Sequence, residues 1–168
     1  SYLAFAVGSG ITPILSILCT LLEDEPNSRF TLVFANRSIN TIMFRDELED
    51  LKNRFLGRLN IVHILKTSGD DAELFQGRLD RDKCEALFAQ WIDVARADRA
   101  YICGPEPMML DIAAALKAHG LDDEQIRFEL FGAAPKTQRM AAKNTNSDGV
   151  QASFSLDAAT TEIYTNRE

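Results

Sequence analysis

Short, nearly unbroken apolar runs alternate along this chain with longer stretches whose apolar residues recur every three or four positions. The runs are Tyr2–Val7, Phe30–Ala35, Leu59–Leu65, Arg99–Cys103 and Ile126–Phe131. Tyr2–Val7 and Phe30–Ala35 lack the in-out alternation of a half-exposed strand and read as strands buried on both faces, and the other three read as strands as well. Between them, helical spacing predicts helices from Pro13 to about Leu22, Met43 to about Arg54, Asp82 to Trp91, and Pro107 to His119. Thr12 reads as the cap of the first, with Pro13 at its first helical position, and Gly120 ends the last. Strands alternating with helices predict an α/β fold, a doubly wound five-stranded parallel sheet with helices on both faces. Ligands of such sheets bind beyond the carboxyl ends of the strands. The segments to watch are therefore those that leave the strands.

The pattern changes after Gly132. Residues 133–149 are rich in Ala, Lys, Asn, Thr and Ser and read as a linker. From Val150 to Thr165 the chain alternates like a strand or hairpin. A strand pair cannot build a stable core by itself. The expected organisation is a domain over 1–132, a linker over 133–149, and over 150–168 the truncated start of a β-rich domain.

Composition narrows the function classes. Over 168 residues the chain is 46% hydrophobic and 26% charged, with a net charge of −7. An acidic chain without a basic patch argues against nucleic acid and against an anionic membrane surface. No apolar stretch approaches the roughly 20 residues of a membrane span. Cys19, Cys84 and Cys103 are scattered, as are His63 and His119, so neither a disulfide framework nor a metal site is indicated. A reducing, cytoplasmic setting is expected. The acidic cluster Asp70, Asp71 and Glu73 reads as a solvated loop.

Three segments carry candidate chemistry. Gly8-Ser9-Gly10-Ile11-Thr12-Pro13 joins a strand to a helix. Its glycines let the backbone turn tightly and approach a ligand, and the helix start favours a phosphate. It lacks the third glycine of the full dinucleotide fingerprint, so a plain tight turn is the competing reading. Asn36-Arg37-Ser38 follows the second strand, where an acid favours an unmodified ribose and an arginine favours a 2′-phosphate. No acid is present, which leans toward NADPH; the alternative is a solvated loop arginine. Cys103-Gly104-Pro105-Glu106-Pro107-Met108 follows the fourth strand. Gly104 lets a planar ring lie on the backbone, and Cys103 is either a soft contact to that ring or a buried apolar thiol.

Together, the Gly8–Pro13 and Cys103–Met108 segments resemble those of the ferredoxin–NADP(+) reductase superfamily. Phe34-Ala35-Asn36-Arg37-Ser38 and Ile42-Met43-Phe44-Arg45-Asp46-Glu47-Leu48 are most similar to the reductase component of ring-hydroxylating and phenylacetyl-CoA oxygenase systems. The resemblance covers residues 2 to 132. It implies that Gly8, Gly10 and Thr12, with Ser9 and Pro13 beside them, cradle a pyrophosphate. It implies that Asn36, Arg37 and Ser38 meet the adenosine. Cys103, Gly104 and Pro105 would border the nicotinamide, with Glu106 and Met108 in the same motif, and Phe131 would lie near a flavin. NADPH or NADH would give a hydride to FAD, and electrons would pass through a [2Fe–2S] cluster to an oxygenase component. The flavin motif and the four cluster cysteines are not in this sequence. The resemblance assigns them to an N-terminal flavin domain and a C-terminal ferredoxin domain, so this chain alone is expected not to turn over. A noncatalytic nucleotide-binding or regulatory domain of the same fold is the alternative. A flavodoxin-like signalling receiver is disfavoured, because the third strand runs into Lys66-Thr67-Ser68 rather than an aspartate.

Overall fold

The computed structural model describes residues 1–66 and 73–129. Five strands appear: β1 (Tyr2–Val7), β2 (Phe30–Asn36), β3 (Leu59–Leu65), β4 (Arg99–Cys103) and β5 (Ile126–Phe128). They form one sheet in the order β3-β2-β1-β4-β5, every neighbouring pair parallel. Four α-helices follow the first four strands in turn: α1 (Ile11–Asp24), α2 (Arg45–Arg54), α3 (Arg81–Gln90) and α4 (Glu106–Ala118). The α/β doubly wound sheet expected from the sequence is borne out.

The pleat sorts the strand residues into two apolar layers. On one side Ala4, Ala6, Leu32 and Phe34 pack with Ile14, Leu18 and Leu22 of α1 and Leu48 of α2. On the other, Leu3, Phe5, Val33 and Ile64 pack with Leu87 of α3 and Ile112 and Leu116 of α4. Both faces of the sheet are therefore covered, which is why the strands read as continuous apolar runs. Full burial of each such Leu, Ile or Phe stabilises the fold by roughly 1.5–3 kcal/mol. The alanines on the α1 side leave room for that helix; Phe5, facing the other way, meets Phe88 edge-on at 6.1 Å.

Element ends depart from the sequence reading in several places: the fifth strand, expected over Ile126–Phe131, ends at Phe128 with Glu129 already outside it, and α3 runs Arg81–Gln90 rather than Asp82–Trp91. A single 3-10 turn over Gly8–Gly10 runs straight into α1, so the helix begins at Ile11 with Gly10 as its cap, and Thr12 is not the capping residue. Pro13 is then third in the helix, where a missing N–H still costs nothing, because the first four N–H groups have no partner along the helix. β2 extends one residue further than expected, to Asn36, because the Lys66 N–H donates to the Asn36 carbonyl at 3.0 Å. α2 starts at Arg45 rather than Met43, because Phe44 takes a left-handed backbone (φ 55°) that breaks the helical run. α4 starts one residue early, at Glu106, with Pro105 as its cap.

At the opposite, amino edge, Arg58 ties the end of α1 to the start of β3. Its guanidinium donates to the carbonyls of Leu22, Glu25 and Ser28. These carbonyls have no helical partner, and a cation suits that end of the helix dipole. Among the described residues no helix is long and apolar enough to cross a membrane. The linker, the strand-like stretch after Val150, Phe131, Asp70 and Asp71 lie outside the described residues.

Candidate functional site

The strand order reverses at β1, whose neighbours are β2 on one side and β4 on the other. Such a reversal leaves a crevice beyond the carboxyl ends of the strands on either side of it. Ala6 pairs with Cys103, so the glycine turn after β1 and the Gly104-Pro105 segment after β4 leave the sheet side by side. Two of the three segments singled out in the sequence thus meet.

The contact between them is tight. A Cβ added to Gly10 would sit 2.3 Å from the Cys103 carbonyl oxygen and 3.2 Å from its Sγ. Gly10 is buried at this joint. Its lack of a side chain serves packing between two loops that are remote in sequence. Gly8 differs: its backbone is left-handed (φ 53°), and a Cβ there would meet nothing within 4 Å among the described residues. Gly8 thus faces open space, as a cradle for a ligand must. Gly104 lies against Val7 and the tip of Met108, whose terminal methyl would stand 2.7 Å from a Cβ on Gly104.

Cys103 is wholly buried, within the layer under α1. Burial, and after it the charge of Glu129, pushes its thiol pKa above the ordinary value. A protonated, enclosed thiol is a poor nucleophile. Gly104, half-buried, is the first residue of this segment to reach the surface. Glu129 was missed by the sequence reading. It lies just past β5, and its N–H donates to the Ile102 carbonyl at 2.9 Å. Only the pairing of β5 with β4 brings this carboxylate toward Cys103.

Two helix starts flank the crevice, and they are not equivalent. The first turn of α1 holds no acid, whereas Glu106 occupies the first turn of α4. Partial positive charge at a helix N-terminus attracts a phosphate, and a carboxylate already there opposes one. On electrostatic grounds the start of α1, beside exposed Ser9 and Thr12, suits an anion better than the start of α4, where Glu106 and Pro105 are both exposed.

The third segment adjoins the first through β2. Val7 pairs with Ala35, so Gly8 and Asn36 leave the two strands as neighbours. Asn36 is the last strand residue and is buried, with no partner for its amide nitrogen among the described residues. Arg37 is exposed and Ser38 half-buried. The Ser38 backbone is already engaged: its N–H donates to the Thr41 hydroxyl at 3.0 Å, and the hydroxyl donates to the Ser38 carbonyl at 2.7 Å. Of this trio, Arg37 is the one whose side chain is exposed. A separate groove of about 370 Å³ runs along β3, lined by Ile42, Arg45, His63 and Trp91 among others, and shares no residue with the three segments.

An open glycine backbone, an acid-free helix start and a neighbouring arginine fit an anionic dinucleotide, in a chain whose net charge would otherwise repel one. The comparisons with known proteins agree. The family model described as an oxidoreductase NAD-binding domain matches residues 5–114. A component of the 1,2-phenylacetyl-CoA epoxidase of Escherichia coli K12 is 41% identical over 99% of this chain and 47% of its own length. The ferredoxin reductase component of 3-ketosteroid-9-alpha-monooxygenase from Rhodococcus rhodochrous is 30% identical, over 96% of this chain and 42% of its own length. Among solved structures, the FAD/NAD-binding domain of nitric oxide dioxygenase from Vibrio cholerae superposes with a TM-score of 0.62 at 27% identity, covering 79% of this chain and 51% of that one. The resemblance to ferredoxin–NADP(+) reductases and to oxygenase reductase components is borne out. The chain spans about half the length of the curated relatives it matches.

Proposed function

The chain belongs to the family of oxidoreductase NAD-binding domains, and on that premise we propose that it is the nicotinamide-nucleotide module of a longer reductase that feeds electrons to an oxygenase. One observation carries the reading. The open glycine turn of β1 and the Gly104 segment of β4 adjoin at the reversal of strand order, beside a helix start free of acids.

In this reading Gly8, Ser9 and Thr12 receive the pyrophosphate on the first turn of α1, and Pro13 stiffens that turn. Gly10 holds the turn against Cys103. Arg37, steered by Asn36 and Ser38, meets the adenosine end. Gly104 and Pro105 form the floor for the nicotinamide. Cys103, Glu106 and Met108 fix the shape of that floor. Bound NADPH or NADH supplies a hydride, and the protein's part is orientation and electrostatics. Phe131, outside the described residues, is the residue proposed to lie near a flavin.

A preceding FAD domain and a following [2Fe–2S] ferredoxin-like domain, joined through the linker over 133–149, complete the proposed protein. Support comes from relatives about twice as long, one of them named as a ferredoxin reductase component. Aromatic degradation, through a phenylacetyl-CoA-type oxygenase, is the substrate reading that the 41%-identical relative favours. In this reading the chain by itself does not turn over.

Calorimetric titration of the full-length protein and of this chain with NADP(+) and NAD(+) tests the reading. Saturable binding, tighter for NADP(+), is expected from the full-length protein. Binding of neither would overturn it in favour of a noncatalytic domain of the same fold.

A further inference from the structure

β3 lies at one edge of the sheet, with β2 as its one neighbouring strand among the described residues. In a parallel ladder, alternate residues turn their N–H and C=O to opposite sides. The Arg58 carbonyl accepts from the Phe30 N–H at 2.8 Å and the Lys66 N–H donates to the Asn36 carbonyl at 3.0 Å, so the even-numbered residues face β2. The Leu65 carbonyl, on the other side, accepts from the Gly77 N–H at 3.0 Å. Ile61 and His63 therefore turn their N–H and C=O outward, and these groups have no backbone partner among the described residues. Both ends of the open lane are stopped. The Leu59 N–H donates to the Phe55 carbonyl at 3.0 Å, and Gln76 is bridged beside Leu65. No proline and no lysine stand in β3 to deter pairing.

The groove of about 370 Å³ straddles this edge. Ile42 and Arg45 wall it on the α2 side, and Trp91 and Phe75, edge-on to each other at 5.5 Å, on the side of α3. Trp91 is 56% exposed. Burial, and after it the charges of Lys52 and Arg45, push the His63 pKa below its ordinary value, and Glu49 opposes them. The Glu49 carboxylate is itself taken by Arg45 at 3.1 Å. On the α2 side, then, two cations outweigh one acid, in a chain of net charge −7.

We propose that the β3 edge is a docking site for an extended segment of a partner protein, which joins the sheet as a further strand with apolar side chains against Trp91 and acidic ones toward Arg45 and Lys52. A row of open backbone donors and acceptors is matched by another extended backbone. The two walls set its side chains, because those of a strand point alternately to its two faces. Five guest residues span about 16 Å, enough to cover Leu59 to His63. A second copy of this chain does not fit. Its own β3, antiparallel and centred on the open residues, would bring Leu59 opposite Leu65, where Gln76 already lies. This inference is independent of the nucleotide reading.

The test is calorimetry on the full-length protein with an acetylated and amidated peptide, Glu-Val-Glu-Val-Glu, and its counterpart with lysine for glutamate. Saturable binding of the acidic peptide, about tenfold tighter than the basic one, is expected. Trp91→Ala should weaken the acidic peptide about tenfold, the scale of an interface tryptophan. Ile61→Pro should abolish binding, since an edge strand tolerates proline where its N–H faces outward, and the donor is lost. Two methylated peptides ask the same question without altering the protein. With the amides of either the valines or the glutamates methylated, one peptide should lose binding and the other keep it, because only alternate amides face β3. No saturable binding of the acidic peptide, equal affinity for the basic one, an unchanged affinity in Trp91→Ala or in folded Ile61→Pro, or equal behaviour of the methylated pair would each overturn the proposal. NADP(+) titrated into the same protein reads the nucleotide site separately, because the groove shares no residue with its three segments.

Discussion

The two halves of the carboxyl edge are built on opposite terms. At the reversal of strand order, residues are set by contact with each other: Gly10 against the Cys103 carbonyl, Gly104 against Val7 and Met108. At the ends of β2 and β3, Arg37 and Lys66 are both exposed. The first half has to keep its shape to be a site at all. The second can change its charge without changing shape. Substitutions in the first half therefore act on folding and binding together, whereas those in the second act on binding alone.

Gly10→Ala should break this comparison hardest. The obstacle is a backbone carbonyl at 2.3 Å, which cannot swing away as a side-chain tip can. Forcing the loops apart is expected to cost about 1–3 kcal/mol, read as a lower urea midpoint. Binding of both nucleotides should fall with it. A thiol reagent at pH 8 provides an independent readout. Wild-type Cys103 should stay unreactive, since burial encloses it and its pKa is raised. In the alanine variant it should become reactive. A Gly10→Ala protein of unchanged stability, with Cys103 still protected, would show that the joint is looser than the geometry indicates.

Arg37→Ala comes next and sharpens the contrast. An exposed position should move stability by no more than about 0.5 kcal/mol. The ratio of kcat/KM for NADPH over NADH should narrow about tenfold, the scale of one charge-assisted contact. An unaltered ratio would return Arg37 to the role of a solvated loop residue.

The two halves also differ in how far the sequence reveals them. β1 and β2 were legible because a strand buried on both faces has no polar alternation, and the first glycine segment because the left-handed backbone of Gly8 favours glycine. Where α1 begins was not legible. Thr12-Pro13 has the chemistry of a helix start, but the contact of Gly10 with Cys103, which is remote in sequence, and the 3-10 turn over Gly8–Gly10 carry the helix start to Ile11. The left-handed Phe44 gave no local signal, since an aromatic there is unusual. Asn36 looked like loop because it is polar; its burial follows from one extra rung of pairing with β3. The pair of cations at the ends of β2 and β3 is the clearest case. Lys66 served in the sequence only as evidence against a phosphorylatable aspartate, and its place beside Arg37 depends on strand order, which no local pattern encodes.

Gly104→Ala should have the smallest effect and decides how rigid the first half is. Its nearest obstacle is the end of a flexible methionine at 2.7 Å, with the Val7 Cβ at 3.3 Å. Methionine adapts to irregular space, so Met108 can turn aside where the Cys103 carbonyl cannot. A loss of less than about 1 kcal/mol in chemical denaturation is expected, well below that of Gly10→Ala. Because Gly104 lies on the proposed nicotinamide floor, the added methyl should raise KM for NADPH and NADH alike while the ratio between them holds. Adenosine 2′,5′-bisphosphate, which has no nicotinamide, should bind as before. A loss as large as that of Gly10→Ala would mean that Met108 is pinned and the whole crevice is one rigid unit. A shift in the NADPH-to-NADH ratio would mean that the two halves of the edge are coupled.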